Sequence, residues 1–173
     1  DDGTIDGDNF DGAGFVAGLA LKGHEIVGKR VLMLGAGGAA RAIAVALCQA
    51  GVGEIAIANR TREKAENLVN SMQQIAGYNQ AFALDNMADA AEDVARDIDI
   101  IINSTSLGLH AGDALPLPLE NVRPDTLIAD IIMLPARTDW LAVAEDKGLQ
   151  THYGRHMLDC QLELIGRFIG ALD

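Results

Sequence analysis

Gly35, Gly37 and Ala40 stand at the three small-residue spacings of a phosphate-cradling turn, within the stretch Gly35-Ala36-Gly37-Gly38-Ala39-Ala40-Arg41. Each position answers a physical need. Gly35 makes the tight turn, Gly37 lets the main chain approach a pyrophosphate, and Ala40 lets a helix lie close on the preceding strand. That helix would offer the anion unpaired N–H groups and the positive end of its dipole. A glycine-rich turn alone also occurs in other α/β proteins, so the downstream residues matter. Asn59-Arg60-Thr61 closes the next strand, where a dinucleotide-binding chain meets the adenosine ribose and an acidic residue would select NAD. None is present. Arg60 brings a planar cationic fork, Lys64 follows one helical turn on, and Arg62 adds charge. These cations suit a 2′-phosphate, so NADP is the expected cofactor. The alternative reading has Thr61 capping a surface helix, with the basic residues solvated.

A second polar cluster, Asn103-Ser104-Thr105-Ser106, follows a strongly apolar run. At the carboxyl edge of an open sheet, where ligands bind, its amide and hydroxyls would lie beside the cofactor. An ordinary polar turn is the alternative. No group of histidines, cysteines or carboxylates has metal-like spacing, so no metal is expected. His24, His110 and His152 are placed at the surface. Arg155 is either a partner for a substrate carboxylate or a solvated residue at a helix start. Glu92-Asp93 and Asp1-Asp2 are taken as solvated pairs.

The elements that must hold these residues alternate along the chain. Strands are expected at Arg30 to Leu34, Glu54 to Ala58, Gln80 to Leu84, Ile98 to Ile102 and Leu127 to Ile132, as short apolar runs. Helices are expected at Phe15 to Lys22, Ala39 to Ala50, Thr61 to Ile75, Met87 to Arg96, Thr138 to Lys147 and His156 to Leu172. Apolar Ala65, Leu68, Val69, Met72 and Ile75 mark the inner face of the third of these. Thr138 is a natural N-cap for the fifth, Gly148 its terminating residue, and Trp140, Leu141 and Val143 its inner face. Asp1 to Gly14 is rich in Asp and Gly and is read as turns, with a hairpin at Asp2 to Gly7. The fold class is therefore α/β: a doubly wound parallel sheet covered on both faces, a Rossmann-type dinucleotide-binding domain.

The 173 residues are 49% hydrophobic and 22% charged, which excludes a wholly disordered chain. A net charge of −12 disfavours nucleic acid and anionic membranes as partners. Two distant cysteines, Cys48 and Cys160, suit a reducing compartment, and the cytoplasm is expected. No apolar run reaches membrane-spanning length.

Four segments in the same order, with the last helix, resemble the shikimate dehydrogenases. Asn9-Phe10-Asp11-Gly12 is similar to the family's Asn-Thr-Asp-Gly segment, and Gly35 to Arg41 to its cofactor loop. Asn59-Arg60-Thr61 with Lys64 is similar to its NADP phosphate motif, and Asn103 to Gly108 to its Asn-Ala-Thr loop. Met157-Leu158 followed by Gln161 resembles its Met-Leu-Val-x-Gln helix. The resemblance implies an NADP-dependent oxidoreductase of aromatic amino acid biosynthesis that reversibly reduces 3-dehydroshikimate by hydride transfer. It implies Asp11 as a catalytic residue and Asn9, Asp11 and Gln161 as substrate contacts. It implies Gly35, Ala36, Gly37, Gly38, Ala39, Asn59, Arg60, Thr61, Lys64, Asn103, Thr105, Ser106 and Met157 as cofactor contacts.

The family's catalytic lysine lies in an N-terminal substrate domain of about 100 residues, and none of Lys22, Lys29, Lys64 and Lys147 stands in a matching motif. Residues 1–14 are therefore expected to be the end of that domain, 15–152 the NADP-binding domain, and 153–173 a helix packing back toward the substrate domain. The piece alone is expected to be inactive, and a homodimer is one expectation. Phe10 replaces the family's Thr, Met133-Leu134-Pro135 its Tyr-Asn-Pro, and Gly154-Arg155-His156-Met157 its Gly-Leu-Gly-Met. These departures lie on the substrate side, so quinate or another cyclic hydroxy acid is an alternative substrate. The other readings are a non-catalytic nucleotide-binding module and a cofactor domain like that of the glutamyl-tRNA reductases. Asn9 to Gly12, the last helix and the negative charge all argue against the latter.

Overall fold

A computed structural model of the chain describes residues 7–86, 89–90 and 97–172. Its elements run α1 (Asp11–Leu21), β1 (Arg30–Leu34), α2 (Gly38–Gln49), β2 (Glu54–Ala58), α3 (Arg62–Ala76), β3 (Ala81–Ala83), β4 (Ile100–Asn103), β5 (Leu127–Asp130), α4 (Asp139–Asp146), β6 (Gln150–His152) and α5 (Gly154–Phe168). The six strands form one sheet in the order β3-β2-β1-β4-β5-β6, and every pairing is parallel. The order reverses between β1 and β4, which creates a crevice at their carboxyl ends.

The sheet is buried on both faces, which is why its central strands are unbroken apolar runs rather than alternating ones. On one face Val31, Met33, Ile55, Ile57, Ile100 and Ile102 pack against α1, α2, α3 and α5. On the other, Leu32, Leu34, Ile101 and Ile128 pack against Trp140 and Leu141 of α4. Trp140 is 1% exposed and donates its indole N–H to the Leu117 carbonyl at 2.9 Å, tying the loop after β4 to this core. In α3, Ala65, Leu68 and Met72 are buried as the periodicity predicts, whereas Ile75 is 55% exposed because the helix ends one residue later.

Three expectations need correction. Residues 11–14 are helical, not turns, and open α1. Gly12 and Gly14 are contact positions rather than turn residues: a Cβ on Gly12 would stand 2.2 Å from the Ala42 carbonyl oxygen of α2, and one on Gly14 2.8 Å from the Met157 carbonyl oxygen of α5. β6 was not expected at all, since Gln-Thr-His is a short polar edge with no apolar run. His152 is fully buried instead of lying at the surface. His24 is half-buried and His110 exposed. The expected hairpin at Asp2 to Gly7, the helix at Met87 to Arg96 and the pairs Asp1-Asp2 and Glu92-Asp93 fall largely or wholly outside the described residues. Among the described residues no helix is long and apolar enough to cross a membrane, and no cluster suited to a metal occurs.

Candidate functional site

Leu34, Ala58, Asn103 and Asp130 lie in one register row, which ends β1, β2, β4 and β5 together. The residues just beyond form the lip of the crevice. Gly35 N–H donates to Ala58 C=O at 2.8 Å, and Ser104 N–H to Leu34 C=O at 2.8 Å. Gly35 has φ +106°, and a Cβ there would lie 2.9 Å from the Ser104 carbonyl oxygen. Only glycine permits both the left-handed turn and the close approach of the two loops. Gly37 and Gly38, by contrast, face open space: a Cβ on either would meet nothing within 4 Å. That is the room an anion needs over the first turn of α2.

A cleft of about 440 Å³ opens there, lined by Gly35, Ala36, Gly37, Asn59, Arg60, Thr61, Lys64, Ser104, Thr105, Ser106 and Leu107. Nine of the sequence-derived cofactor residues share its wall. Gly38 lines an adjoining 350 Å³ hollow with Arg41 and Lys64. Asn103 lies beneath the wall, fully buried, and the side chain of Met157 is packed into the core, 5% exposed.

The charges of the cleft are uneven. Arg62, expected to add to the cation cluster, is taken up by Glu66 at 2.7 Å and by Asp85. Arg30, Arg123, Arg137, Arg155 and Arg167 also sit in ion pairs. Among the described residues Arg41 and Arg60 alone of the arginines form none, and Lys64 forms none either. Asn59 donates its side-chain amide to Thr61 C=O at 2.8 Å and shapes the turn that carries Arg60. Thr61 is the N-cap position of α3 but its hydroxyl makes no cap hydrogen bond. Arg155 reaches Asp159 at 2.7 Å and is exposed, in keeping with the solvated reading.

The Asn103–Leu107 loop is held by its own side chains. Asn103 Oδ1 accepts from Thr105 N–H at 3.0 Å and from Thr105 Oγ1 at 2.7 Å, and Leu107 N–H donates to Thr105 Oγ1 at 3.1 Å. Ser104 Oγ donates to Leu34 C=O at 2.7 Å. Below the loop lies Asp130, which reading the strand as a plain apolar run overlooked. Its carboxylate accepts from Asn103 Nδ2 at 3.1 Å, Ile132 N–H at 3.0 Å and Thr138 Oγ1 at 2.8 Å. Burial pushes its carboxyl above the ordinary range, and the three donors pull the other way. An acid at the end of a buried strand was the available signal, because such a group needs dedicated partners.

The second group of sequence-derived residues lies where α1 begins. Asp11 N–H donates to Asn9 Oδ1 at 2.9 Å. Gln161 Nε2, from α5, donates to Asp11 Oδ1 at 2.7 Å. Residues 150 positions apart thus meet because α1 packs along α5 through Gly14. Phe10 rests on Phe168 with ring centroids 5.3 Å apart. Met133 and Leu134, after β5, are 40% and 80% exposed.

The model of the shikimate / quinate 5-dehydrogenase family matches residues 18–111. The shikimate dehydrogenase (NADP(+)) of Nitrosopumilus maritimus is 40% identical over 157 residues, which are 91% of this chain and 56% of that protein. Among solved structures, the 5-ketofructose reductase of Gluconobacter sp. strain CHM43 is 38% identical with a TM-score of 0.79, over 93% of this chain and 57% of that one. The shikimate 5-dehydrogenase of Listeria monocytogenes, in complex with shikimate and NAD, is 32% identical with a TM-score of 0.82 and the same coverage. The chain spans about half the length of the curated relatives it matches. With the family model covering more than half its residues, the chain belongs to the shikimate / quinate 5-dehydrogenase family.

Proposed function

We propose that this chain is the NADP-binding part of an oxidoreductase of the shikimate dehydrogenase type, which reversibly reduces 3-dehydroshikimate or a related cyclic keto acid to the alcohol. The observation that carries the cofactor is the pair Arg60 and Lys64: two cations that form no ion pair among the described residues, on a chain of net charge −12, at one cleft. A 2′-phosphate supplies the missing negative charge, with the Arg60 fork suited to two of its oxygens. The open face over Gly37 and Gly38 fits the pyrophosphate.

NADPH when bound supplies the hydride. The chain's own residues bind and orient. Asp11 fixes the Gln161 amide through Oδ1, which leaves Oδ2 and the Gln161 carbonyl oxygen to engage hydroxyls of a cyclic substrate. The proton that a reduced ketone oxygen takes up needs an acidic donor. Asp11 forms no ion pair among the described residues, so the isolated chain is expected to bind nucleotide without turnover. The outer side of α5 and the residues just after it, where Leu162, Phe168, Ile169 and Leu172 are at least half exposed, suit packing against a substrate domain or a second copy in a homodimer. The two free cysteines suit the cytoplasm.

A second substrate reading has its own support. Exposed Met133 and Leu134 stand where the family carries a phenol hydroxyl, and a relative named as a 5-ketofructose reductase is 38% identical. Other polyhydroxylated ketones therefore belong in any substrate panel.

Calorimetric titration with NADPH and NADH tests the cofactor. The parent chain is expected to prefer NADPH. Arg60→Ala is expected to weaken NADPH binding roughly 10- to 100-fold, the worth of a charge-assisted contact of about 1.5–3 kcal/mol, and to leave NADH almost unchanged. Equal affinity for both nucleotides in the parent would overturn the assignment.

A further inference from the structure

We propose that Asp130 is the positioning residue of the cofactor cleft: from beneath the sheet edge it dictates which way the Asn103 amide faces, and so holds the Asn103–Leu107 loop in its ligand-receiving shape. This rests on the proposed dinucleotide role of the cleft. Asp130 itself is fully buried and does not line the cleft.

The argument is one of donors and acceptors. An amide side chain fits its pocket in either of two orientations, related by a half-turn, and only its partners choose between them. Here the choice starts from Ile132 N–H, which can only donate and which gives its hydrogen to Asp130 Oδ1. That oxygen is thereby an acceptor, so the Asn103 atom 3.1 Å from it must be the NH₂ group. The other end of the same amide is then Oδ1, and it points up into the loop. There it takes both the main-chain N–H and the hydroxyl of Thr105. With its proton committed to Asn103, the Thr105 hydroxyl can only accept from Leu107 N–H. The second hydrogen of Asn103 Nδ2 reaches Leu107 C=O at 3.0 Å, so both ends of the loop are tied to one side chain. Thr105, Ser106 and Leu107 form the cleft wall opposite Arg60 and Lys64.

Reversed, the Asn103 amide would set its oxygen against the Asp130 oxygen and its NH₂ against Thr105 N–H. Two acceptors would then confront each other at the fully buried Asp130 end and two donors at the part-buried Thr105 end, and the buried clash is the costly one. Asp130 thus makes one loop shape far better than the other without touching the ligand. Its remaining oxygen, Oδ2, binds Thr138 Oγ1, the N-cap hydroxyl of α4. That contact anchors Asp130 to the body of the fold.

The test compares three variants with the parent. Asp130→Asn keeps an acceptor at Oδ1 for Asn103 and Ile132, and its new NH₂ can donate to Thr138 Oγ1, so it is the rescuing substitution. Asp130→Ala removes the acceptor and frees the Asn103 amide. Thr138→Val removes the Oδ2 contact and the cap, and costs stability without touching the Asn103 side.

Amide hydrogen exchange in the chain without nucleotide reads the loop directly. Asp130→Ala is expected to speed exchange at Thr105 and Leu107 by about tenfold or more, relative to β1 and β4 amides in the same sample. Asp130→Asn and Thr138→Val should leave that ratio at the parent value. Titration with NADPH is expected to show Asp130→Ala weakened about tenfold, with Asp130→Asn within about threefold of the parent. Unchanged exchange at Thr105 and Leu107 in Asp130→Ala overturns the inference. So does loop loosening of equal size in Thr138→Val, because the effect would then be general destabilisation. A parent chain that binds no NADPH would overturn the proposed cofactor instead, and the exchange ratio would still decide the role of Asp130.

Discussion

Gly12→Ala is expected to lower the melting temperature by roughly 6–12 °C, the result of about 3 kcal/mol or more of destabilisation in a chain of this size. One methyl group produces the loss because of where it lands. It would stand 2.2 Å from the Ala42 carbonyl oxygen, 2.7 Å from the carbonyl carbon and 2.9 Å from Ala46 Cβ. The obstacle is main chain of α2, so no rotamer change relieves it and the two helices must separate. α1 cannot simply tilt away, since Gly14 and Gly18 also hold it against α5, where a Cβ would stand 2.8 Å from the Met157 carbonyl oxygen and 3.1 Å from the His156 carbonyl. Gly37→Ala makes the same chemical change at a site with nothing within 4 Å. Its cost to the fold is about 0.5–1 kcal/mol, the margin by which glycine outranks alanine at an N-cap. The new methyl there would occupy the space proposed for pyrophosphate, so nucleotide affinity should fall while the melting temperature drops by only about 1–4 °C. Differential scanning calorimetry on the pair, with NADPH titration alongside, checks both halves. A Gly12→Ala chain that melts with the parent would mean that α1 and α2 are not in contact as described.

The same glycines explain what was and was not legible in the sequence. Periodicity found β1, β2, α2, α3 and α4 to within a residue or two, because buried parallel strands and amphipathic helices announce themselves in apolar spacing. The loop at Gly35 and the cations at Arg60 and Lys64 stood out for another reason: a motif specifies residue type as well as position, and the structure brings these residues to one cleft. The start of α1 was not legible, since Asp11-Gly12-Ala13-Gly14 has the composition of a turn. Only the proximity of α2 and α5 shows that small residues were needed there for packing. Arg62 and Arg60 are indistinguishable in sequence, and the difference between them, Asp85 and Glu66 beside the first, exists only in three dimensions. Asp130 went unnoticed for a related reason. An acid that ends a buried strand signals a need for partners, but which partners it has, Asn103 on the neighbouring strand and Thr138 beyond it, exists only in three dimensions.

His152 shows the same limit with the largest consequence for behaviour in solution. It is fully buried, and neither ring nitrogen has a hydrogen-bond partner among the described residues. Its ring centroid lies 5.0 Å from that of His156, 5.5 Å from His24 and 5.7 Å from Phe15. Burial, reinforced by His156, His24 and Lys22, pushes its pKa from 6.5 down to about 3. Between those values the unfolded chain binds a proton that the folded chain refuses. The unfolded state therefore holds more protons, and stability falls as pH falls through that window. Each pH unit well inside it costs about 1.4 kcal/mol, so a change from pH about 6.5 to about 5 removes on the order of 2 kcal/mol. That range lies above the titration of ordinary carboxylates and above the isoelectric point near 4.5. His24 and His156 are also lowered by burial and add slope of the same sign. His152→Phe isolates the central residue, because it fills the site with an apolar ring and leaves the other two in place. Urea unfolding at pH about 7, 6 and 5 should give two curves that start together and separate by on the order of 2 kcal/mol, with the variant the more stable at acid pH. Parallel curves would mean that His152 is solvated or hydrogen-bonded in the folded chain. The location gives the effect its interest, for His152 sits where α1, β6 and the start of α5 converge. About one helical turn along each helix Gln161 of α5 meets Asp11 of α1, so the helix pair that carries this contact is the one whose packing the buried, uncharged imidazole supports.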